Sequence, residues 1–219
     1  PYTTLFRSKK FGGYMFSKGE LSVLHNTRRK FVKELLRNIG PNEAVEHYCS
    51  RVKESNSIAE KLEKRNLQPT ADNAAAYLTD LIGVRIVVHF IGDVYEIAAR
   101  IKEKYHIVEE LDYITVPKEN GYRSLHLIVH VPVTDTKKFR YCTEIPVEIQ
   151  IRTVAMDCWA SLEHMMLYKR KPNRSTELAK EELRNCAGTL FLTDTRMEAI
   201  QSIIEKTELD QEELNHGEK

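Results

Sequence analysis

In IGVRIVVHF, residues 82–90, apolar side chains recur at every second position. Ile82, Val84, Ile86, Val88 and Phe90 take one side and Arg85, Val87 and His89 the other, the alternation of a strand. Upstream the spacing is helical. Leu21, Leu24, Phe31, Val32, Leu35 and Leu36 line one side of residues 20–38, and Gly40-Pro41 stops that helix. A chain that changes period in this way packs helix stripes against a sheet, so it is a mixed α/β domain.

The same reading predicts a second helix from about Asn42 to Arg65, kinked or split at Glu54-Ser55-Asn56-Ser57, where no apolar residue occurs. Residues 70–79 read as a short helix with Thr70 as its cap, and 93–104 as another helix. Residues 105–116, 124–131 and 146–153 read as strands, 154–169 as a helix, and 176–214 as one long helix or two. The expected fold class is α/β (α+β): a mixed sheet of four to five strands flanked by helices. At 219 residues, with hydrophobic residues at 42%, the chain holds one core-forming domain and an appendage at most. No apolar run approaches the roughly 20 residues of a spanning helix, and no charged-then-apolar leader suggests secretion. Cys49, Cys142, Cys158 and Cys186 lie far apart and form no CxxC pair. That argues against a disulfide framework or zinc site and for a reducing cytosol.

Four segments follow along the chain. Residues 1–8, PYTTLFRS, spell the translation of a common sequencing adapter and are set aside as non-native; 9–42 is an N-terminal helical region, 43–172 the main domain, and 173–219 a C-terminal helical region. Residues 175–219 carry a net charge of −6 and the rest of the chain +7. A basic body suits an anionic partner such as phosphate, although ordinary solvated charge produces the same imbalance.

The strand VEIQIR carries the most chemistry. Val147, Ile149 and Ile151 point to the core, while Glu148, Gln150 and Arg152 share the other face. An acid, an amide and a cation in one row suit a metal, a base edge and a phosphate; the alternative is a strand with one solvated face. Asp80 stands at the entrance to strand 82–90. Alone it reads as a turn residue, and together with Glu148 as a Mg²⁺ pair, since that ion takes one or two carboxylates plus substrate oxygens. In PKENGYRSLH, 117–126, Asn120-Gly121 is a strong turn signal. The turn would present Lys118, Tyr122 and Arg123 on its rim, the tyrosine to stack on a base and the cations to meet phosphates; Ser124, His126 and His130 share one strand face. The alternative is a solvent-facing hairpin. In the helix expected over 42–65, which carries Arg51 and Lys53, the residues Ser57, Lys61 and Lys64 line one face suited to a triphosphate, or else to solvent, among Glu54, Glu60 and Glu63. Helix 154–169 places Asp157, Ser161, His164 and Tyr168 in one polar stripe, facing either a site or water. GxxxxGK[ST], GxGxxG and HExxH are all absent.

Read together, three blocks resemble the RelA/SpoT-type alarmone synthetases: DLIGVRIVVHF at 80–90, DYITVPKENGYRSLHLIV at 112–129, and VEIQIRTVAMDCWASLEHMMLYK at 147–169. RVK at 51–53 and the Ser57/Lys61/Lys64 face fit the family's upstream basic helix, and the likeness covers about 45–170. The resemblance implies a nucleotidyltransferase-like sheet and transfer of the β,γ-pyrophosphate of ATP to the ribose 3′-hydroxyl of GDP or GTP, giving ppGpp or pppGpp. It implies Mg²⁺ on Asp80, with Glu148 sharing the metal or acting as base. It implies Tyr122 on guanine, and Arg51, Lys53, Ser57, Lys61, Lys64 and Arg85 on the ATP side. Lys118, Arg123, His126, Gln150 and Asp157 would serve the acceptor or the moving pyrophosphate. Two positions depart from the common pattern: Leu111 stands where many members carry a base, and Asp157 where some carry an amide. No His-Asp dipeptide occurs, which implies synthesis without hydrolysis. The resemblance further implies a homotetramer, and the cysteine spacing and lack of a long apolar run lead to the expectation of a cytoplasmic protein without membrane contact. The tail residues Leu190, Phe191, Met197, Ile200, Ile203 and Ile204 would serve assembly, or would pack back on their own domain. One alternative keeps the fold and makes the 3′ end of tRNA the acceptor. Another is a catalytically silent nucleotide- or RNA-binding regulator.

Overall fold

The computed structural model describes residues 15–40, 44–167 and 170–217. Residues 1–8, the expected helix start at Asn42 and the tyrosine of the polar stripe, Tyr168, lie outside them. The elements run α1 (Lys18–Ile39), β1 (Val45–Val52), α2 (Ser55–Lys64), α3 (Ala71–Tyr77), β2 (Ile82–Val88), α4 (Ile91–Lys104), β3 (Ile107–Asp112), β4 (Leu125–Pro132), β5 (Glu144–Thr153), α5 (Val154–Leu167) and α6 (Arg174–Gly217). The strands form one five-stranded sheet in the order β1-β2-β5-β4-β3. The central β2–β5 pair is parallel and every other pair antiparallel.

Alternation builds the core as expected. Ile82, Val84 and Ile86 of β2, Leu125, Leu127 and Val129 of β4, and Val147, Ile149 and Ile151 of β5 are all buried in one cluster. Helix α1 adds Leu24, Phe31 and Leu35, and α4 adds Val94, Ile97 and Ile101. Each such side chain contributes about 1.5–3 kcal/mol of burial. The helix ends follow their local chemistry. Ser17 and Glu20 form a reciprocal capping box on α1, and Thr70 caps α3 by accepting from the Asn73 amide at 3.2 Å. Gly40, at φ 75°, closes α1 with its amide on the Leu36 carbonyl.

Two expectations are corrected. Of the strand expected over 105–116, only Ile107–Asp112 pairs in the sheet, and 113–116 already belongs to the loop that follows. Residues 45–52 form an edge strand, not the first half of a helix; only Ser55–Lys64 of the expected 42–65 helix is helical. The strand VEHYCSRV lies at the edge of the sheet with no fully buried residue, only Val45 and Val52 at its two ends packing against the core, so its sequence carries no apolar alternation. Pairing with β2 from Val45↔Val88 to Val52↔Ile82 decides its conformation. A second, smaller cluster joins Trp159 of α5 to Leu183 and Ala187 of α6, with Tyr122 and Leu190 against it. In α6, Phe191 packs on the main core, whereas Met197, Ile200, Ile203 and Ile204 stay exposed.

Candidate active site

The parallel register sets Gly83 opposite Glu148 and Arg85 opposite Gln150, so Glu148, Gln150, Arg152 and Arg85 lie on the face away from the core. Asp80 enters from just before β2. The Lys53 amide donates to the Leu81 carbonyl at 2.9 Å, which brings the β1–α2 link to the same point. There the Lys53 and Lys61 ammonium groups lie 2.7 and 2.9 Å from Asp80 Oδ2. Asp80 Oδ1 is buried and has no hydrogen-bond partner. Burial pushes the Asp80 carboxyl up, but the two lysines outweigh it and hold the group below the ordinary value.

Glu148 accepts from Gln150 Nε2 at 2.7 Å and lies 3.1 Å from His126 Nδ1. Burial raises this carboxyl and the nearby Asp80 charge adds to the rise, yet the His126 and Gln150 contacts dominate and the net shift is downward. Glu148 is therefore ionised at neutral pH and close enough to Asp80 for the two charges to act on each other.

The loop 113–124 brings Tyr122 to this cluster. Gly121 has φ 92°, a conformation that its lack of a Cβ permits, and its amide closes the turn on the Lys118 carbonyl at 2.8 Å. The Tyr122 hydroxyl meets His126 Nε2 at 2.8 Å and accepts from an Arg152 guanidinium nitrogen at 2.5 Å. The Lys118 ammonium sits 4.3 Å from the Tyr113 ring centroid and 4.9 Å from that of Tyr122. Burial lowers the Lys118 pKa, with Arg152 and Lys61 adding to the effect against the pull of Glu148.

Arg152 organises this side. It is 4% exposed and donates to Gln150 Oε1 at 2.8 Å, to Asp157 Oδ1 at 3.1 Å and to Tyr122. Arg85 reaches the same Asp157 oxygen at 3.0 Å. Sequence alternation puts Arg152 in the polar row as a cation for phosphate; in the structure its guanidinium is occupied by other side chains of the site. Tyr113, whose ring meets His126 edge-on at 5.2 Å, carries no role of its own from sequence. Only the block that contains it pointed there.

The structure thus gathers the expected residues into two bonded groups, Lys53–Asp80–Lys61 and Arg85, Lys118, Tyr122, His126, Glu148, Gln150 and Asp157 around Arg152, close enough for the Asp80 and Glu148 charges to act on each other. Three expected residues lie outside both groups. Arg51 is exposed on β1, Ser57 is half-buried on α2, and Lys64 is exposed. No hydrogen bond or ion pair ties them to either group among the described residues. Arg123 is placed differently from the rim position expected of it. Its guanidinium lies 3.8 Å from the Phe191 ring centroid on α6 and donates to the Ile114 carbonyl. Helix α6, distant in sequence, captures it.

Two half-buried carboxylates, Asp80 between two ammonium groups and Glu148 between an imidazole and an amide, beside aromatic rings on a mixed sheet, suit phosphate-bearing nucleotides. Residues 50–173 match the family described as "Region found in RelA / SpoT proteins". The chain is 37% identical to the GTP pyrophosphokinase YwaC of Bacillus subtilis, over 82% of this chain and 85% of that one. It is 30% identical to the GTP pyrophosphokinase YjbM of the same organism, over 75% of each. Its fold matches the crystal structure of the Bacillus subtilis small alarmone synthetase 1 bound to its product pppGpp. That match has a TM-score of 0.69 and 27% identity, covering 85% of this chain and 95% of the other. The chain belongs to the RelA/SpoT family.

Proposed function

We propose that this chain is a GTP pyrophosphokinase that moves the β,γ-pyrophosphate of ATP to the ribose 3′-hydroxyl of GDP or GTP, making ppGpp or pppGpp. YwaC and YjbM bear that activity in their names, and a structural relative holds pppGpp. The observation that carries the reading is that the Asp80 and Glu148 carboxylates lie near enough to act on each other, each held by a different set of partners. Lys53 and Lys61 stand on one side, and Tyr122, Gln150 and Asp157 on the other.

The chemistry follows from the residues. A ribose hydroxyl is a weak nucleophile. Glu148, held ionised by His126 and Gln150, takes its proton as the 3′-oxygen bonds to the β-phosphorus; the bond from that phosphorus to the bridging oxygen breaks and AMP leaves. A positioned general base contributes about 10²–10⁴-fold. Lys53 and Lys61, with Arg51, Ser57, Lys64 and Arg85, bind ATP. Lys118, His126, Gln150 and Asp157 orient the acceptor and the moving group, and Tyr122 stacks on guanine, worth about 1–3 kcal/mol.

Asp80 Oδ1, buried and without a partner, and the carboxylate of Glu148 are hard oxygen donors that fit Mg²⁺, an ion that takes one or two carboxylates plus phosphate oxygens. When bound, Mg²⁺ neutralises charge on the transferring phosphates. No described helix is long and apolar enough to cross a membrane, and the four cysteines are free; we assign the enzyme to the cytoplasm. The exposed apolar strip on α6 is the surface we assign to homotetramer assembly.

Incubation with labelled ATP, Mg²⁺ and each of GDP, GTP and tRNA, with products separated chromatographically, tests the reading. Label in a guanine nucleotide is the expected result. Label in tRNA alone would move the activity to the toxin-type acceptor, and no transfer at all would leave a silent binding protein.

A further inference from the structure

The two residues flanking Tyr122 both rest on α6. A Cβ built at Gly121 would lie 2.7 Å from Ala187 Cβ and 3.4 Å from Arg184 Cα, so the loop backbone lies directly against the helix. Arg123 lays its guanidinium over the Phe191 ring, one helical turn beyond Ala187, and the same guanidinium holds the Ile114 carbonyl at the start of the loop. One side chain thereby ties both ends of loop 113–124 to a single aromatic ring. Helix α6 is in turn fixed to the sheet side of the site. Asp194 accepts from the Thr153 hydroxyl at 2.5 Å, and the Trp159 indole donates to the Leu183 carbonyl at 2.7 Å. Thr153 directly follows Arg152, so the anchor of α6 and the hub of the acceptor side are consecutive residues of β5.

We propose that the 183–194 segment of α6 is the seat that sets the position of the acceptor loop, with Phe191 and Arg123 as positioning residues for guanine-nucleotide binding rather than ligands of it. The proposal rests on the pyrophosphokinase reading for its kinetic consequence, but not for its structural one. Among the described residues, Lys53, Lys61 and Asp80 make no hydrogen bond or ion pair to α6, so loss of the seat weakens the acceptor and leaves ATP binding unchanged.

Phe191→Ala, Phe191→Leu and Phe191→Tyr test this. The aromatic Phe191→Tyr keeps the face for Arg123, Phe191→Leu keeps apolar volume without a ring, and Phe191→Ala loses both. The expected result for Phe191→Ala and Phe191→Leu is a KM for GDP or GTP raised about three- to tenfold, as loss of a partly desolvated cation–π contact implies, with KM for ATP unmoved. Phe191→Tyr restores the acceptor KM. In parallel, hydrogen exchange at the amides of Tyr113, Lys118 and Gly121, which bond within the loop, is faster in the first two variants and normal in the third. Phe191→Leu carries the test should Phe191→Ala fail to fold. A rise in both KM values together, or no change in either readout, overturns the proposal. If the wild-type protein transfers no pyrophosphate, the activity reading fails by itself, and exchange at the loop amides still decides whether α6 holds the loop.

Discussion

His126 Nδ1 lies 3.1 Å from Glu148 Oε1, reached diagonally across the antiparallel β4–β5 pair, in which His126 opposes Gln150 and Glu148 opposes Ile128. The contact couples Glu148 to the Tyr122 side of the site through the other imidazole nitrogen, 2.8 Å from the tyrosine hydroxyl. It also opposes the upward pressure that burial and Asp80 exert on the Glu148 carboxyl.

Glu148→Gln keeps the shape and the hydrogen-bonding row but removes the proton acceptor. Turnover falls by about 10²–10⁴-fold, while dissociation constants for ATP analogues and GDP change little. Single-turnover kinetics with equilibrium binding checks this; retained turnover would remove Glu148 from the base role.

His126→Ala takes away a contact that favours ionised Glu148. Its carboxyl pKa is depressed in the folded protein, so the ionised form persists as pH falls through the ordinary carboxylate range of about 4. Without His126 the carboxyl rises, and the acid limb of the kcat/KM profile moves to higher pH. An unmoved limb would show that Gln150 alone holds the charge.

Arg152→Met leaves Tyr122, Gln150 and Asp157 without their shared donor. Asp157 keeps its ion pair with Arg85, so the loss of stability stays below the ~3–5 kcal/mol that an uncompensated buried charge costs. KM for the guanine nucleotide rises by about ten- to a hundredfold, equivalent to about 1.4–2.8 kcal/mol. Arg152→Lys keeps the charge without the planar fork and recovers stability better than KM. Denaturant titration alongside kinetics separates the two effects.

Asp194 is buried, and burial, with Glu198 nearby, raises its carboxyl pKa against the opposing Thr153 bond. A raised folded-state pKa makes the carboxylate a liability at neutral pH, because the unfolded chain ionises more readily; stability returns as pH falls through the raised value. Asp194→Asn retains an acceptor for Thr153 and carries no charge. It is at least as stable as wild type at pH 7, and its advantage shrinks toward about pH 4. Thermal melts across that range test the sign.

Much of this protein was legible in residue order. Alternation in 82–90 and 146–153 specified two buried strands and put Glu148 and Gln150 on the face away from the core, because a strand's side-chain period is two whatever its neighbours. Asn120-Gly121 marked the loop that carries Tyr122, and Ser17, Thr70 and Gly40 marked helix ends through local hydrogen bonds. Edge strand β1 was not legible. It has no buried face to imprint a period, and only pairing with β2 makes it extended. Sequence presents Arg152 and Arg123 as cations for phosphate because it reports charge, not direction. Their guanidinium groups turn toward Asp157 and Phe191, partners that lie 5 and 68 positions away and meet them only when α5 and α6 pack. The sequence by itself determined which residue types were available and which face each strand side chain takes, since those depend on local geometry. Only the tertiary structure decided which charges neutralise each other, since that depends on distances across the fold.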